Sequence, residues 1–192
     1  MTARRTPYIP QRRTIFIGCE GRSEVGYAAL LQDLLRSADH AVHLDLYDLG
    51  HGGDPLGRIE MAVRRLASLQ RRRTAPRERF VLLDSDQVSR EPHRAERARQ
   101  LASENHIAIV WQSPCHEAML LRHLRGLAQH RPPDTRGAEQ ALAREWPDYR
   151  KPMSAANLAR RLDGDALVRA ARVEPELRAL LTCLGLIDAT AY

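Results

Sequence analysis

Lysine is almost absent from this 192-residue chain: of 30 basic residues, only Lys151 is not an arginine. Aromatic residues make up 5%, too few for the stacking platforms on which single-strand binders lay successive bases. The three cysteines, Cys19, Cys115 and Cys183, form no CxxC pair and are odd in number. That argues against a thiolate metal centre or a disulfide framework and fits a reducing cytoplasm. No apolar run approaches the roughly 20 residues of a membrane span, so no membrane role is expected. No Walker-type loop occurs, which counts against a nucleotide hydrolase or nucleotidyl transferase. Residues 1–13, MTARRTPYIPQRR, lack the apolar stretch of a secretory signal and read as a basic tail whose Arg4, Arg5, Arg12 and Arg13 are free to touch phosphate. What is present is a 43% hydrophobic fraction, enough for a packed core, and a net charge of +6, which favours a polyanionic partner.

The pattern alternates strand and helix. Residues 15–18 are a short run of apolar or small residues in a strand expected to stop at Glu20-Gly21, with Ser23 expected to cap a helix over 23–37. Residues 41–48 alternate apolar and polar with period two, as a strand does. The loop LGHGGDP follows, where backbone N–H groups near His51 are candidates to hold phosphate and a plain tight turn is the simpler account. A helix is expected over 55–72, then a buried strand at 79–84, RFVLLD, a helix over 92–105 and a buried strand at 107–111. Ser113-Pro114 reads as N-cap and first residue of the next helix, CHEAMLLRHLRGLA. This predicts an α/β core over residues 14–130 with a mostly parallel sheet covered by helices. After the linker QHRPPDTRG, residues 138–192 read as an all-helical extension, with segments near 138–145, 154–162, 164–172 and 174–184. Trp111 and Trp146 read as packing residues.

Acidic side chains gather at the predicted strand ends. Glu20 follows the first strand and Asp84 ends the third, both toward the edge where open α/β sheets bind ligands. Asp86, two residues on, is expected to face the same cation as Asp84, and Glu24 and Glu117 enter from the first turns of their helices. So many carboxylates at one rim repel one another unless a divalent cation, Mg²⁺ or Mn²⁺, neutralises them. Each acid also has a plainer account, as a turn former, a helix cap or a partner of the helix dipole. His116 stands beside Glu117 either to assist a water or to face the core.

The blocks CEGRSE (19–24), LLDSD (82–86) and SPCHEAMLLRHL (113–124), with the region around Tyr149 and Lys151 followed by ANLARRL, resemble the RloB-like family over about residues 14–185. That family is related to the Toprim domains of topoisomerases, primases and overcoming-lysogeny-defect nucleases. The resemblance implies a Toprim-like four-stranded sheet and assigns roles by position. Glu20 matches the Toprim glutamate, a metal ligand or general acid/base; Asp84 and Asp86 match its metal-binding pair; Glu24 matches a second acid of the nuclease branch. Lys151 resembles the lysine that those nucleases set beside their acids. The sequence departs from the family where His116 replaces an aromatic residue and Ser113 an asparagine, which bears on substrate contacts.

The expected function is therefore a cytoplasmic Mg²⁺- or Mn²⁺-dependent nuclease acting on DNA or RNA, in anti-phage defence or abortive infection. Glu20, Asp84 and Asp86 are the expected metal ligands. Glu20, Glu24, Glu117 and Lys151 are the expected catalytic groups, with Arg71, Arg72, Arg73, Arg77 and Arg79 as phosphate contacts. The alternative is a non-catalytic, nucleic-acid- or ligand-binding partner of a defence-system ATPase, docked through its helical extension.

Overall fold

A computed structural model of the chain describes residues 12–50, 53–72 and 74–188. The core runs β1 (Arg13–Cys19), α1 (Arg22–Ser37), β2 (Val42–Asp48), α2 (Pro55–Arg71), β3 (Glu78–Asp84), α3 (Pro92–Glu104), β4 (Ala108–Gln112) and α4 (His116–His123). The extension adds α5 (Thr135–Glu145), α6 (Ala155–Leu158), α7 (Gly164–Ala171) and α8 (Pro175–Leu184). The four strands are all parallel, in the order β2-β1-β3-β4.

The central strands β1 and β3 are continuous apolar runs, because a strand covered on both faces has no polar side to show. The apolar run expected as a buried strand at 107–111 instead forms β4 at the other edge, with Ala108 exposed and Ile109 and Trp111 only partly buried. The side chains of β1 and β3 alternate between two cores. Ile15, Ile17 and Leu82 pack with α1 and the later helices, whereas Phe16, Val81 and Leu83 pack against α2 and α3. β2 lies at an edge of the sheet and keeps the period-two pattern, with Val42 and Leu44 buried.

Several local expectations are corrected. Arg13, assigned to the tail, is the first residue of β1, and its N–H donates to Ala41 O at 2.8 Å. Ser23 does not cap α1: Gly21 is the extended N-cap and Ser23 is buried in the first turn, because the helix leaves directly from the Glu20-Gly21 turn. Ser113 and Pro114 do not open α4. Gln112 O and Pro114 O both accept from Ser85 N–H (3.0 and 3.1 Å), which ties this stretch to the β3 turn, and the helix begins only after an extended Cys115. The helix is also shorter than expected, ending where Leu124 turns extended.

The extension is not a separate body. Leu142, Trp146, Leu158, Leu167, Leu180 and Leu181 share one buried core with Tyr27, Leu31 and Leu120. Two polar contacts lock it further. The buried Arg122 Nη1 lies 2.9 Å from Glu174 Oε1, and Arg169 Nε donates to His123 O at 2.8 Å. Gly26 on α1 allows the segment before α6 to pass, since a Cβ there would stand 2.2 Å from Met153 O. Gly26→Ala should therefore push Met153 outward. A loss of about 1–3 kcal/mol is expected, read as a lower melting temperature, with Lys151 displaced in step.

Candidate active site at the C-terminal edge of the sheet

Parallel strands end on one edge, so β1 delivers Glu20, β3 Asp84 and β4 Gln112 to the same rim. In this strand order the chain first moves outward from β1 to β2, then crosses back to β3. α1 and α2 consequently leave on opposite faces and open a crevice between β1 and β3. Glu20 and Asp84 flank it. The Glu20 carboxylate reaches over the neighbouring strand, its Oε2 accepting from Asp84 N–H at 2.7 Å. Glu24, one turn along α1, joins them in a cavity of about 260 Å³ that Ser23, Arg58 and Lys151 also line.

Beneath the acids lies a buried polar layer. The Gln112 side chain satisfies both its ends when its oxygen accepts from His116 Nδ1 (2.8 Å) and its nitrogen donates to Glu24 Oε1 (3.3 Å) and Asp84 Oδ1 (3.1 Å). One amide nitrogen thus holds two carboxylates together. His116 accordingly carries its proton on Nδ1 and faces the core, edge-on to Tyr27. Further in, His123 Nδ1 donates to Met119 O (2.9 Å), which leaves Nε2 to accept from the Tyr27 hydroxyl at 3.0 Å. Burial pushes both histidines down to about 4, so neither contributes charge at neutral pH.

Two cations reach the rim. Arg58, 4% exposed, is pinned by Nη1 donating to Leu49 O (3.1 Å) and to Gly50 O, and its Nη2 stands 3.7 Å from Glu20 Oε1. Lys151, half exposed, is supplied by the segment between α5 and α6, with Nζ 2.9 Å from Glu117 Oε1. Tyr149 donates to that same oxygen at 3.1 Å, and Glu117 Oε2 is left buried with no hydrogen-bond partner among the described residues.

The charges are strongly perturbed. Burial first, then the nearby Glu20, Glu24, Glu117 and Asp86, raises Asp84 to about 9. Glu24 is raised to about 7, chiefly by burial and further by Glu117, against the opposing pull of its backbone hydrogen bonds and Lys151. Burial also raises Glu20, countered in part by the Asp84 N–H and Arg58. Glu117 is the exception. Burial acts to raise it, but His116 and Lys151 hold it below the usual carboxylate range, and with His116 neutral the lysine is the effective partner at pH 7.

The sequence-predicted residues separate into two groups. Glu20, Glu24, Asp84 and Lys151 meet in one cavity, with Glu117 buried against Lys151. Asp86 does not share it. It lines an adjoining cleft of about 640 Å³, where Thr135 Oγ1 donates to its Oδ2 at 3.4 Å, although its charge still bears on Glu20 and Asp84. Among the described residues no three His, Cys, Asp or Glu side chains are already drawn into a metal-holding group. The donor set still suits a hard cation: three carboxylates with no competing thiolate or imidazole line the cavity, and the charge of the buried Glu117 bears on Glu24 and Asp84 as well.

The arginine run is remote. Arg71 and Arg72 end α2, Arg77 precedes β3, and Arg79 spends its guanidinium on Pro76 O (3.0 Å) and Asn105 O (2.8 Å). They sit at the opposite edge of the sheet, a strand length of about 20 Å from Asp84, out of reach of a phosphate bound there. Arg73, His51, Arg4 and Arg5 lie outside the described residues. Gln112 and Arg58 were missed by sequence reasoning. Arg58 carried a usable signal, since it falls at helical spacing with Ala62, Leu66 and Leu69 on the buried face of α2.

Because Asp84 and Glu24 have folded-state pKa values above their unfolded ones, the stability they contribute is full below about pH 4. It is lost as pH rises through about 7 and about 9. Metal-free protein should accordingly melt at lower temperature as pH rises across this window. Asp84→Asn should flatten the dependence and raise the pH 8 melting temperature by roughly 4–8 °C, on the order of 2 kcal/mol. An unchanged pH profile in the variant would contradict a buried Asp84 whose charged form is disfavoured.

No protein-family model, curated protein or solved structure matches this chain, so the functional reading rests on the geometry and on the motif resemblance.

Proposed function

We propose that this protein is a divalent-metal-dependent nuclease of the Toprim-related, RloB-like kind, hydrolysing phosphodiester bonds of DNA or RNA in anti-phage defence. One observation carries the reading: Glu20, Glu24 and Asp84 converge with Lys151 and Arg58 on a single cavity at the crossover of a parallel sheet. Glu20 and Asp84 would hold Mg²⁺ or Mn²⁺, with Asp86 adding charge from the adjoining cleft. Held there, such an ion would supply positive charge for phosphate oxygens and would make a water easier to deprotonate.

The remaining work falls to the side chains. Glu24, tuned to about 7 and oriented by Gln112, is suited to take the proton of the water whose oxygen bonds to phosphorus as the ester P–O bond breaks. Lys151 is a cation at the cavity mouth, where it stabilises the charge that builds on the phosphoryl oxygens. Glu117 and Tyr149 position that lysine, and Arg58 holds Glu20 from the other side.

The test is cleavage of a mixed DNA and RNA panel with Mg²⁺, Mn²⁺ or EDTA. Asp84→Ala and Glu20→Ala should abolish metal-dependent cutting, and Lys151→Ala should reduce it about 10²–10³-fold. Cutting that persists in EDTA or in both acid variants would refute the assignment. Metal binding lost in those variants without any cutting by wild type would instead favour the non-catalytic role beside a defence-system ATPase.

A further inference from the structure

A second cavity, of about 340 Å³, lies at the C-terminal end of α4, where α5 and α7 close over it. Glu117 lies in the first turn and His123 at the end of this eight-residue helix, so about 9 Å of helix separates this cavity from the acidic centre. Arg125, Arg161 and Arg169 line it. None of the three has a carboxylate partner among the described residues.

Both acids that also line the cavity are already engaged. Asp163 caps α7, its Oδ1 accepting from Ala166 N–H at 2.8 Å, and Glu145 Oε1 pairs with Arg144 Nε at 3.2 Å. Two of the guanidinium groups are held in place before any ligand arrives. Arg169 Nε donates to His123 O at 2.8 Å; Arg161 Nη1 donates to Glu145 O at 2.7 Å, and its guanidinium lies 5.5 Å from the centre of the Trp146 ring. A guanidinium carries five N–H donors, so each anchored arginine keeps further donors in a planar fork that matches phosphate oxygens. His123 is neutral and adds no charge. Three cations against the single Asp163 carboxylate, with Glu145 already paired to Arg144, leave net positive charge in a preformed concavity, and its complement is an anion.

We propose that this cavity is a phosphate-binding pocket, taking a phosphate ester through Arg125, Arg161 and Arg169. It is separate from the acidic centre and needs no metal. The ester could be a free nucleotide or a phosphate of a nucleic-acid strand, since the recognising chemistry is the same.

The test is calorimetric titration of the full chain in metal-free, low-salt buffer. The probes are inorganic pyrophosphate, a nucleoside 5′-monophosphate, and a short single strand with and without a 5′-phosphate. Wild type should bind with one site. Arg161→Gln and Arg169→Gln should each weaken binding by roughly tenfold. Arg125→Ala, at an exposed side chain, should weaken it several-fold without lowering the melting temperature, which separates lost binding from lost folding. Asp84→Asn should leave the affinity unchanged. Tight pyrophosphate and mononucleotide binding would identify a free phosphate ligand; a preference for strands regardless of the end would identify backbone phosphate, and both support the pocket. Failure of wild type to bind any probe would overturn the proposal. So would binding that is lost in Asp84→Asn yet intact in the three arginine variants. Neither result depends on whether the acidic centre cuts.

Discussion

Carboxylates crowded into a crevice repel one another, and burial strengthens the repulsion. Much of the structure around the sheet edge answers that constraint. Gln112 gives one N–H to each of Glu24 and Asp84, the backbone of Asp84 gives its N–H to Glu20, and Arg58 stands behind Glu20. The amide contacts orient the acids without cancelling their charge, and Arg58 offsets it in part at Glu20. Asp84 remains the most perturbed of the acids, first through its burial and then because its neighbours are themselves acids, while the Gln112 amide that meets its side chain is neutral. A centre held in this condition has a standing demand for positive charge.

Part of that demand is met by the helical extension. Glu117 is almost wholly buried, and the cation that keeps it ionised comes from the chain between α5 and α6. The ion pair therefore works as both a tertiary contact and a site contact. The extension can make it only because its leucines are built into the same core as α1 and α4 and because the buried Arg122 reaches Glu174. Removing Lys151 would leave the buried Glu117 carboxylate held mainly by Tyr149, a cost that the solvent around the half-exposed lysine moderates. Position of the lysine and integrity of the fold are thus coupled.

The elements legible in the sequence were those governed by local pattern. The apolar runs of β1 and β3, the alternation of β2 and the acids at strand ends follow from burial on both faces, burial at an edge and parallel topology. What escaped depended on tertiary partners. Ser113-Pro114 carries a strong helix-start pattern, but its backbone is claimed by Ser85 on the neighbouring turn. Asp86 lies two residues from Asp84, yet the turn after β3 sends it into the next cleft, toward Thr135. Arg71, Arg72, Arg77 and Arg79 belong to a strongly basic stretch, but topology puts them at the wrong end of β3. Gln112, just outside the strand expected at 107–111, is the hub of the acidic layer.

The two cations at the cavity divide a task that one residue could not perform. Arg58 is buried, always charged and tethered to two carbonyls, so it fixes the geometry of Glu20 and has little freedom to follow a ligand. Lys151 is half exposed on a flexible stem and bound mainly through one carboxylate oxygen. On the proposed function, a phosphate entering the cavity competes with Glu117 for Lys151. Tyr149 continues to donate to the Glu117 oxygen that the lysine would leave, which lowers the penalty of the exchange. The chain's single lysine stands where a mobile point charge serves better than a rigid fork, whereas arginine fills the positions that must hold still.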